Sequence, residues 1–194
     1  MKNLQAIIDR VKIRHEEMGD EFNINQLRSI LRDVETPIDE FELPELAPEG
    51  IPYSRRILYR DEQFEVSIIR WKAAAETAIH DYGDSYGIIR VLSGNLNFQV
   101  YDNYLRELAV GNVPAVDAFD LPKGIIHKIY NPSVYDEAVS LNFYCPNVDS
   151  LSLYDEEKRE KLQVSKDVRA WIPSEKDIIS REKLPDIPED TGSE

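Results

Sequence analysis

Two of the chain's three histidines, His80 and His127, sit in segments whose residue types suit a buried metal centre. Neutral imidazole presents a lone pair and is the commonest protein ligand for a transition metal. His80 lies in Thr77-Ala78-Ile79-His80-Asp81-Tyr82-Gly83-Asp84-Ser85-Tyr86-Gly87. In a β-strand, residues i and i+2 share a face, so Tyr82 points the same way as His80. His127 lies in Pro122-Lys123-Gly124-Ile125-Ile126-His127-Lys128-Ile129-Tyr130-Asn131 and has to come from another strand to join them. Asp84 is a further conceivable oxygen ligand, provided that the strand runs on regularly through Gly83, which a glycine makes doubtful. His15, beside Glu16 and Glu17, reads as a solvated surface histidine.

Behind these residues the chain changes texture twice. Leu4, Ile7, Ile8 and Val11 follow the spacing of one apolar helical face, and Leu27, Ile30, Leu31 and Val34 mark a second helix. Phe22-Asn23-Ile24-Asn25 supplies its cap, and Thr36-Pro37 ends it, because the residue before proline avoids the α region. Residues 37–52 carry Pro37, Pro44, Pro48 and Pro52 and read as an extended connector. From Tyr53 onward the pattern is that of strands: Phe64–Trp71 mostly alternates, and Leu96, Phe98 and Val100 alternate strictly with Asn95, Asn97, Gln99 and Tyr101. Gly94-Asn95 and Asp102-Asn103 supply turns. Short strands without intervening helices indicate a closed or sandwich-like antiparallel barrel. The expected organisation is a single domain, with residues 1–49 forming helices and connector against a barrel of residues 50–194 that carries a C-terminal extension. Leu184–Glu194, with two prolines and several acids, reads as a loosely held tail.

Charge and composition narrow the partners. With 37 acidic against 23 basic residues, the net charge of -14 disfavours nucleic acid and anionic membrane. No apolar run approaches the ~20 residues of a membrane span, and the first residues lack a signal-peptide core. A single cysteine, Cys145, excludes an intrachain disulfide and fits a reducing cytoplasm, the expected location.

The segment around His127, P-x-G-x-x-H-x-x-x-N, resembles the second conserved motif of the cupin superfamily, whose small β-barrels hold a metal inside. The segment around His80, closing at Gly94 in Leu92-Ser93-Gly94-Asn95-Leu96, resembles the first, with Tyr82 at its second histidine and Gly87 at its usual glutamate. Absence of that glutamate marks the cysteine dioxygenase-like thiol dioxygenases. Tyr53-Ser54-Arg55-Arg56, Trp71, Ile79-His80-Asp81 and Ala138-Val139-Ser140-Leu141-Asn142-Phe143-Tyr144 are similar to that branch too. The resemblance spans about residues 50–146. It implies a mostly β, jelly-roll barrel with an N-terminal helical segment, Fe(II) or another divalent metal, and a small thiol or amino-acid-like substrate oxidised with O2 to its sulfinate.

It also implies roles. His80 and His127 match iron ligands, and Tyr82 replaces the third histidine of the set. Arg55, with Tyr53 nearby, matches the arginine that grips the substrate carboxylate, a task suited to a two-pronged guanidinium; a surface or structural ion pair, natural in so acidic a chain, stays open beside it. Tyr144 matches the active-site tyrosine. Ser140 matches the serine of a Ser-His-Tyr relay whose histidine is Asn142 here, so a proton cannot pass in the same way. Gly87 stands where some members carry the cysteine of a Cys–Tyr cross-link, which is therefore absent, and Cys145 reads as a small structural residue. Three roles are open to Tyr82: an anionic ligand, a partner of metal-bound water, or a filler of a lost site. Three readings of the whole stay open with it: an iron-dependent thiol dioxygenase, a degenerate cupin without redox activity that binds a small ligand or protein partner, or a cupin that keeps a metal but uses it on another substrate. Either metal version requires the His80 and His127 rings to lie well within about 10 Å, since ligating nitrogens sit ~2 Å from a metal.

Overall fold

The computed structural model describes residues 2–32, 34–165 and 175–187. Two helices open the chain. Helix α1 (Lys2–Met18) buries Leu4, Ile7, Ile8 and Val11, and α2 (Ile24–Arg32) buries Leu27 and Leu31. Asn23 caps α2 reciprocally: its Oδ1 accepts from the Asn25 amide at 3.0 Å, while Gln26 Oε1 accepts from the Asn23 amide at 3.1 Å. The helix stops at Arg32, before the expected Thr36-Pro37 boundary. Arg90 donates to the carbonyls of Leu31 at 2.5 Å and Val34 at 2.8 Å, so these acceptors are satisfied without another helical turn. Val34 is buried beyond the helix.

The twelve strands found among the described residues are β1 (Tyr53–Arg60), β2 (Glu65–Trp71), β3 (Ile79–Asp81), β4 (Tyr86–Ser93), β5 (Asn95–Tyr101), β6 (Glu107–Pro114), β7 (Ala118–Leu121), β8 (Ile126–Tyr130), β9 (Ala138–Cys145), β10 (Ser150–Asp155), β11 (Glu160–Ser165) and β12 (Ile178–Lys183). They form two antiparallel sheets, ordered β1-β2-β9-β4-β7 and β12-β11-β10-β3-β8-β5-β6. The result is a jelly-roll of two sheets, the sandwich-like form of the expected barrel, with helices at its N-terminal end. Strands β10 to β12 lengthen the second sheet beyond β3, with Leu153 opposite His80. Of the expected tail, Leu184 and Pro185 are tied to Arg159 through backbone and guanidinium hydrogen bonds; positions 188–194 lie outside the described residues.

Strand β9 explains the layering. All eight of its residues are buried, because it is covered on both sides. Val139, Leu141, Phe143 and Cys145 join α1 and α2 in one apolar cluster. The alternate positions face the other way: Ala138 and Tyr144 join Tyr53, Ile69, Trp71, Ile89 and Ile129 in a second cluster. Register carries this inner face across the sheet, since Trp71, Ile69, Ser67 and Glu65 on β2 oppose Ala138, Ser140, Asn142 and Tyr144 on β9. The connector is tied down as well, with Arg70 Nη1 donating to the Pro44 carbonyl at 3.4 Å and Phe41 buried.

Arg90 joins α2 to β4, so its loss reaches two layers. Arg90→Met is expected to cost about 2 kcal/mol for the stranded carbonyls, read as a fall of roughly 4–8 °C in the calorimetric midpoint. An unchanged midpoint would show that α2 is held by its apolar face alone.

Candidate metal centre between the sheets

Strand β3 pairs with β8 so that His80 and His127 are direct partners. Both side chains are fully buried, and their ring centroids are 4.2 Å apart, well inside the separation that a shared metal requires. The Tyr82 ring stands 4.9 Å from that of His80 and 5.3 Å from that of His127. Gly83 then turns the chain at a φ of 58°, in the left-handed region that favours glycine. Asp84 is thereby carried out to Lys123, 2.7 Å away at the surface. The strand does not run on, and Asp84 takes no part in the site.

The tautomers follow from the backbone. His80 Nδ1 lies 2.9 Å from the Ala78 carbonyl and His127 Nδ1 lies 2.9 Å from the Ile125 carbonyl. A carbonyl only accepts, so each Nδ1 carries the proton and each Nε2 keeps a lone pair. At His80 that lone pair accepts from the Tyr82 hydroxyl at 3.0 Å. At His127 the buried Nε2 has no hydrogen-bond partner, and such an atom calls for a ligand.

From Tyr82 the hydrogen bonds continue in one direction. Tyr144 donates its hydroxyl proton to Tyr82 at 3.2 Å. Asn142 Nδ2 donates to the Tyr144 oxygen at 3.0 Å, Ser140 Oγ donates to Asn142 Oδ1 at 2.8 Å, and Trp71 Nε1 donates to Ser140 Oγ at 3.0 Å. The indole can only donate and the Ala78 carbonyl can only accept, so the whole row from Trp71 to His80 has a single polarity. Asn142 stands where a histidine was expected from the resemblance. Its amide hands on orientation but no proton.

Burial shapes the titration. It pushes His80 down to about 4, against the opposing pull of the Ala78 hydrogen bond, and holds His127 well below its ordinary value, with His80 adding to the effect. Burial likewise raises the Tyr82 phenol well above its ordinary value, reinforced by Tyr144, and raises Tyr144 against the opposing influence of Arg55. Without a metal the centre is neutral throughout.

The remaining expected site residues lie on the same inner face. Tyr53 is buried against Trp71, with ring centroids 4.7 Å apart. Arg55 forms an ion pair with Glu65, a residue that the sequence patterning did not single out. Gly87 opposes Tyr144 across β4 and β9; a Cβ there would come within 2.5 Å of the Phe143 carbonyl oxygen and 2.9 Å of the Tyr144 ring. Glycine is thus what lets the Tyr144 ring lie flat along β4. Cys145 is buried in the outer cluster, away from the centre. His15 rests against Phe22 and joins no ligand group.

The donor set fits a metal. Two neutral imidazoles with preset tautomers lie side by side, ring centroids 4.2 Å apart, each oriented by a backbone carbonyl as ligating histidines commonly are, with the Tyr82 oxygen 3.0 Å from His80 Nε2. No group of three His, Cys, Asp or Glu side chains suited to a metal occurs among the described residues; the Tyr82 phenol is the oxygen that stands beside the two imidazoles.

Comparison with known proteins gives the family and supports the fold. The family model described as "Cysteine dioxygenase type I" matches residues 10–157. Cysteine dioxygenase type 1 of Rattus norvegicus is 25% identical over 170 residues, covering 83% of this chain and 84% of the relative. The Homo sapiens protein of the same name is 23% identical over 170 residues, with the same coverage. A Klebsiella pneumoniae protein with a double-stranded β-helix domain superposes with a TM-score of 0.50 at 16% identity, covering 62% of this chain and 96% of that one, which supports the fold.

The buried imidazoles make stability depend on pH. Their folded-state pKa values lie below the unfolded value of 6.5, so the unfolded chain takes up protons first. The metal-free protein should keep full stability above pH 6.5 and lose it as the pH falls toward 4, with His80 alone accounting for about 3 kcal/mol. Urea titrations across this window should show a shallower loss for His127→Asn. A slope identical to that of the parent would mean that His127 does not enter the fold as a buried neutral ring.

Proposed function

We propose that the chain, which belongs to the cysteine dioxygenase type I family, is an iron-dependent dioxygenase that converts a small thiol to its sulfinate. The observation that carries this reading is the paired Nε2 lone pairs of His80 and His127, one of them buried without a partner, next to the Tyr82 hydroxyl. His80, His127 and Tyr82 would hold the metal. When bound, iron would supply a site for thiolate and O2 side by side.

The overall reaction joins a thiol and O2 into a sulfinic acid. Both oxygen atoms end on sulfur, sulfur gives up four electrons to O2, and no outside reductant is needed. The protein's share is placement. Tyr144 offers its hydroxyl at the edge of the centre, held in orientation by Asn142, Ser140 and Trp71. Ile69, Ile89 and Ile129 belong to the apolar cluster on this face and keep water out. The Tyr82 hydroxyl keeps its proton and donates it in a hydrogen bond to His80 Nε2, so use of Tyr82 as an anionic ligand requires that proton to leave.

A second reading is favoured by one observation: the Tyr82 hydroxyl already occupies the His80 lone pair. In that case the centre is a closed hydrogen-bonded core, and the protein binds a small ligand without redox chemistry.

Metal analysis of protein purified without chelators separates the two, followed by oxygen uptake with cysteine, 3-mercaptopropionate and cysteamine. The dioxygenase reading expects near-stoichiometric iron, uptake with at least one thiol, and a sulfinate labelled twice from heavy O2. His127→Ala should abolish both iron and uptake. If Tyr82 ligates, the ferric protein is coloured through phenolate charge transfer, and Tyr82→Phe bleaches it. Protein that is free of metal after purification and inert toward all three thiols would instead support the second reading.

A further inference from the structure

A carboxylate beside Tyr144, at the edge of the candidate centre, belongs to the protein itself. Glu65 is completely buried. It lies on the inner face, opposite Tyr144 on one side and Arg60 on the other. Its Oε1 contacts Arg55 Nη2, and its Oε2 lies 3.1 Å from Arg60 Nε. Arg60 also donates to the Val148 carbonyl at 2.8 Å and reaches Asp149 at 4.0 Å. Two cations thus meet two anions, and the group is neutral.

Arg55 nonetheless belongs to the centre. It shares the inner face of β1 with Tyr53, which packs on Trp71. Burial opposes its charge, but Glu65, then Tyr144 and Tyr82, hold its pKa above the ordinary value. Its guanidinium is therefore within electrostatic reach of both phenols. The Arg55 side chain is partly exposed, but the carboxylate that it meets is fully buried and needs a cation, so Glu65 is its fixed counter-charge. A substrate carboxylate brought to Arg55 would lie beside the Glu65 carboxylate, surrender its hydration, and leave the balanced group one negative charge in excess. Like charges at such a distance discriminate strongly between partners.

We propose that Glu65 sets the charge preference of this site: by neutralising Arg55 from within, it admits thiols with a neutral or cationic tail and turns away those that carry a carboxylate. This inference rests on the thiol reading above and names the substrate class for it. Arg55 becomes a wall residue held in place by Glu65, and its grip on a carboxylate is spent inside the protein.

The test uses three thiols built on the same two-carbon stem: 3-mercaptopropionate, 2-mercaptoethanol and cysteamine. Binding to the protein as purified is measured by calorimetry without oxygen, and oxygen uptake is measured separately. The parent should bind 3-mercaptopropionate at least about tenfold more weakly than 2-mercaptoethanol or cysteamine. Glu65→Gln, which keeps the shape and removes the charge, should close or reverse that gap by about tenfold while 2-mercaptoethanol moves less than about threefold. Should Glu65→Gln fail to fold, the three-way comparison on the parent decides alone. A parent that prefers 3-mercaptopropionate, binds none of the three thiols, or shows equal affinities for all of them overturns the proposal, as does a variant in which every thiol shifts together. Charge-selective binding without oxygen uptake would retire the dioxygenase reading and uphold this one. Oxygen uptake that ignores tail charge, with binding equally indifferent, would do the reverse.

Discussion

Everything at the centre depends on two hydrogen bonds that involve no other side chain: those from the Nδ1–H groups of His80 and His127 to the Ala78 and Ile125 carbonyls. Each imidazole sits in a short strand and bonds the carbonyl two residues back, so the strand itself chooses the tautomer. With Nδ1 committed, each Nε2 keeps its lone pair, one meeting Tyr82 and the other left without a partner. The direction of the Tyr82 hydroxyl follows, then that of Tyr144, and so on to the Trp71 indole. Reversing any one proton in this row would leave two donors or two acceptors face to face inside a dry interior, at a cost of about 1–3 kcal/mol per orphaned group.

The price of such a polar interior is met by the layer behind it. The outer face of β9 is wholly apolar and lies under α1 and α2, whose buried leucines, isoleucines and valine form one cluster with Val66, Ile68 and Phe143. Its inner face carries Ser140, Asn142 and Tyr144. One strand thereby serves the hydrophobic core on one side and the chemistry on the other, and the helices hold β9 from behind. The N-terminal helices contribute no residue to the candidate centre.

Asn142 and Tyr82 depart together from the residues expected by resemblance, and the structure shows why their effects are linked. Both belong to the same row of hydrogen bonds, in which the amide preserves direction while ending proton transfer. Tyr144 is therefore an oriented hydroxyl at the edge of the centre, with no proton path running inward through Ser140. Gly87 completes the arrangement, because the Tyr144 ring occupies the space that any side chain there would need.

Much of this was legible in the residues themselves. The helical spacing of Leu4, Ile7, Ile8 and Val11, the alternation around Leu96, and the separate His80 and His127 segments determined two helices, antiparallel strands and a candidate centre, since periodicity and ligand type are local properties. Three features were decided only by tertiary structure. Gly83 turns the chain and removes Asp84 from the site. Strands β10 to β12 join the second sheet beside His80, where local sequence read only a C-terminal extension. Glu65 looked like the polar partner in an alternating strand, a pattern that ordinarily means a solvent face. Its strand is covered on both sides, so the same alternation places a carboxylate in the interior against Arg55 and Arg60. Sequence sets which residues alternate; which of the two faces meets water is settled only when helices and the second sheet close over it.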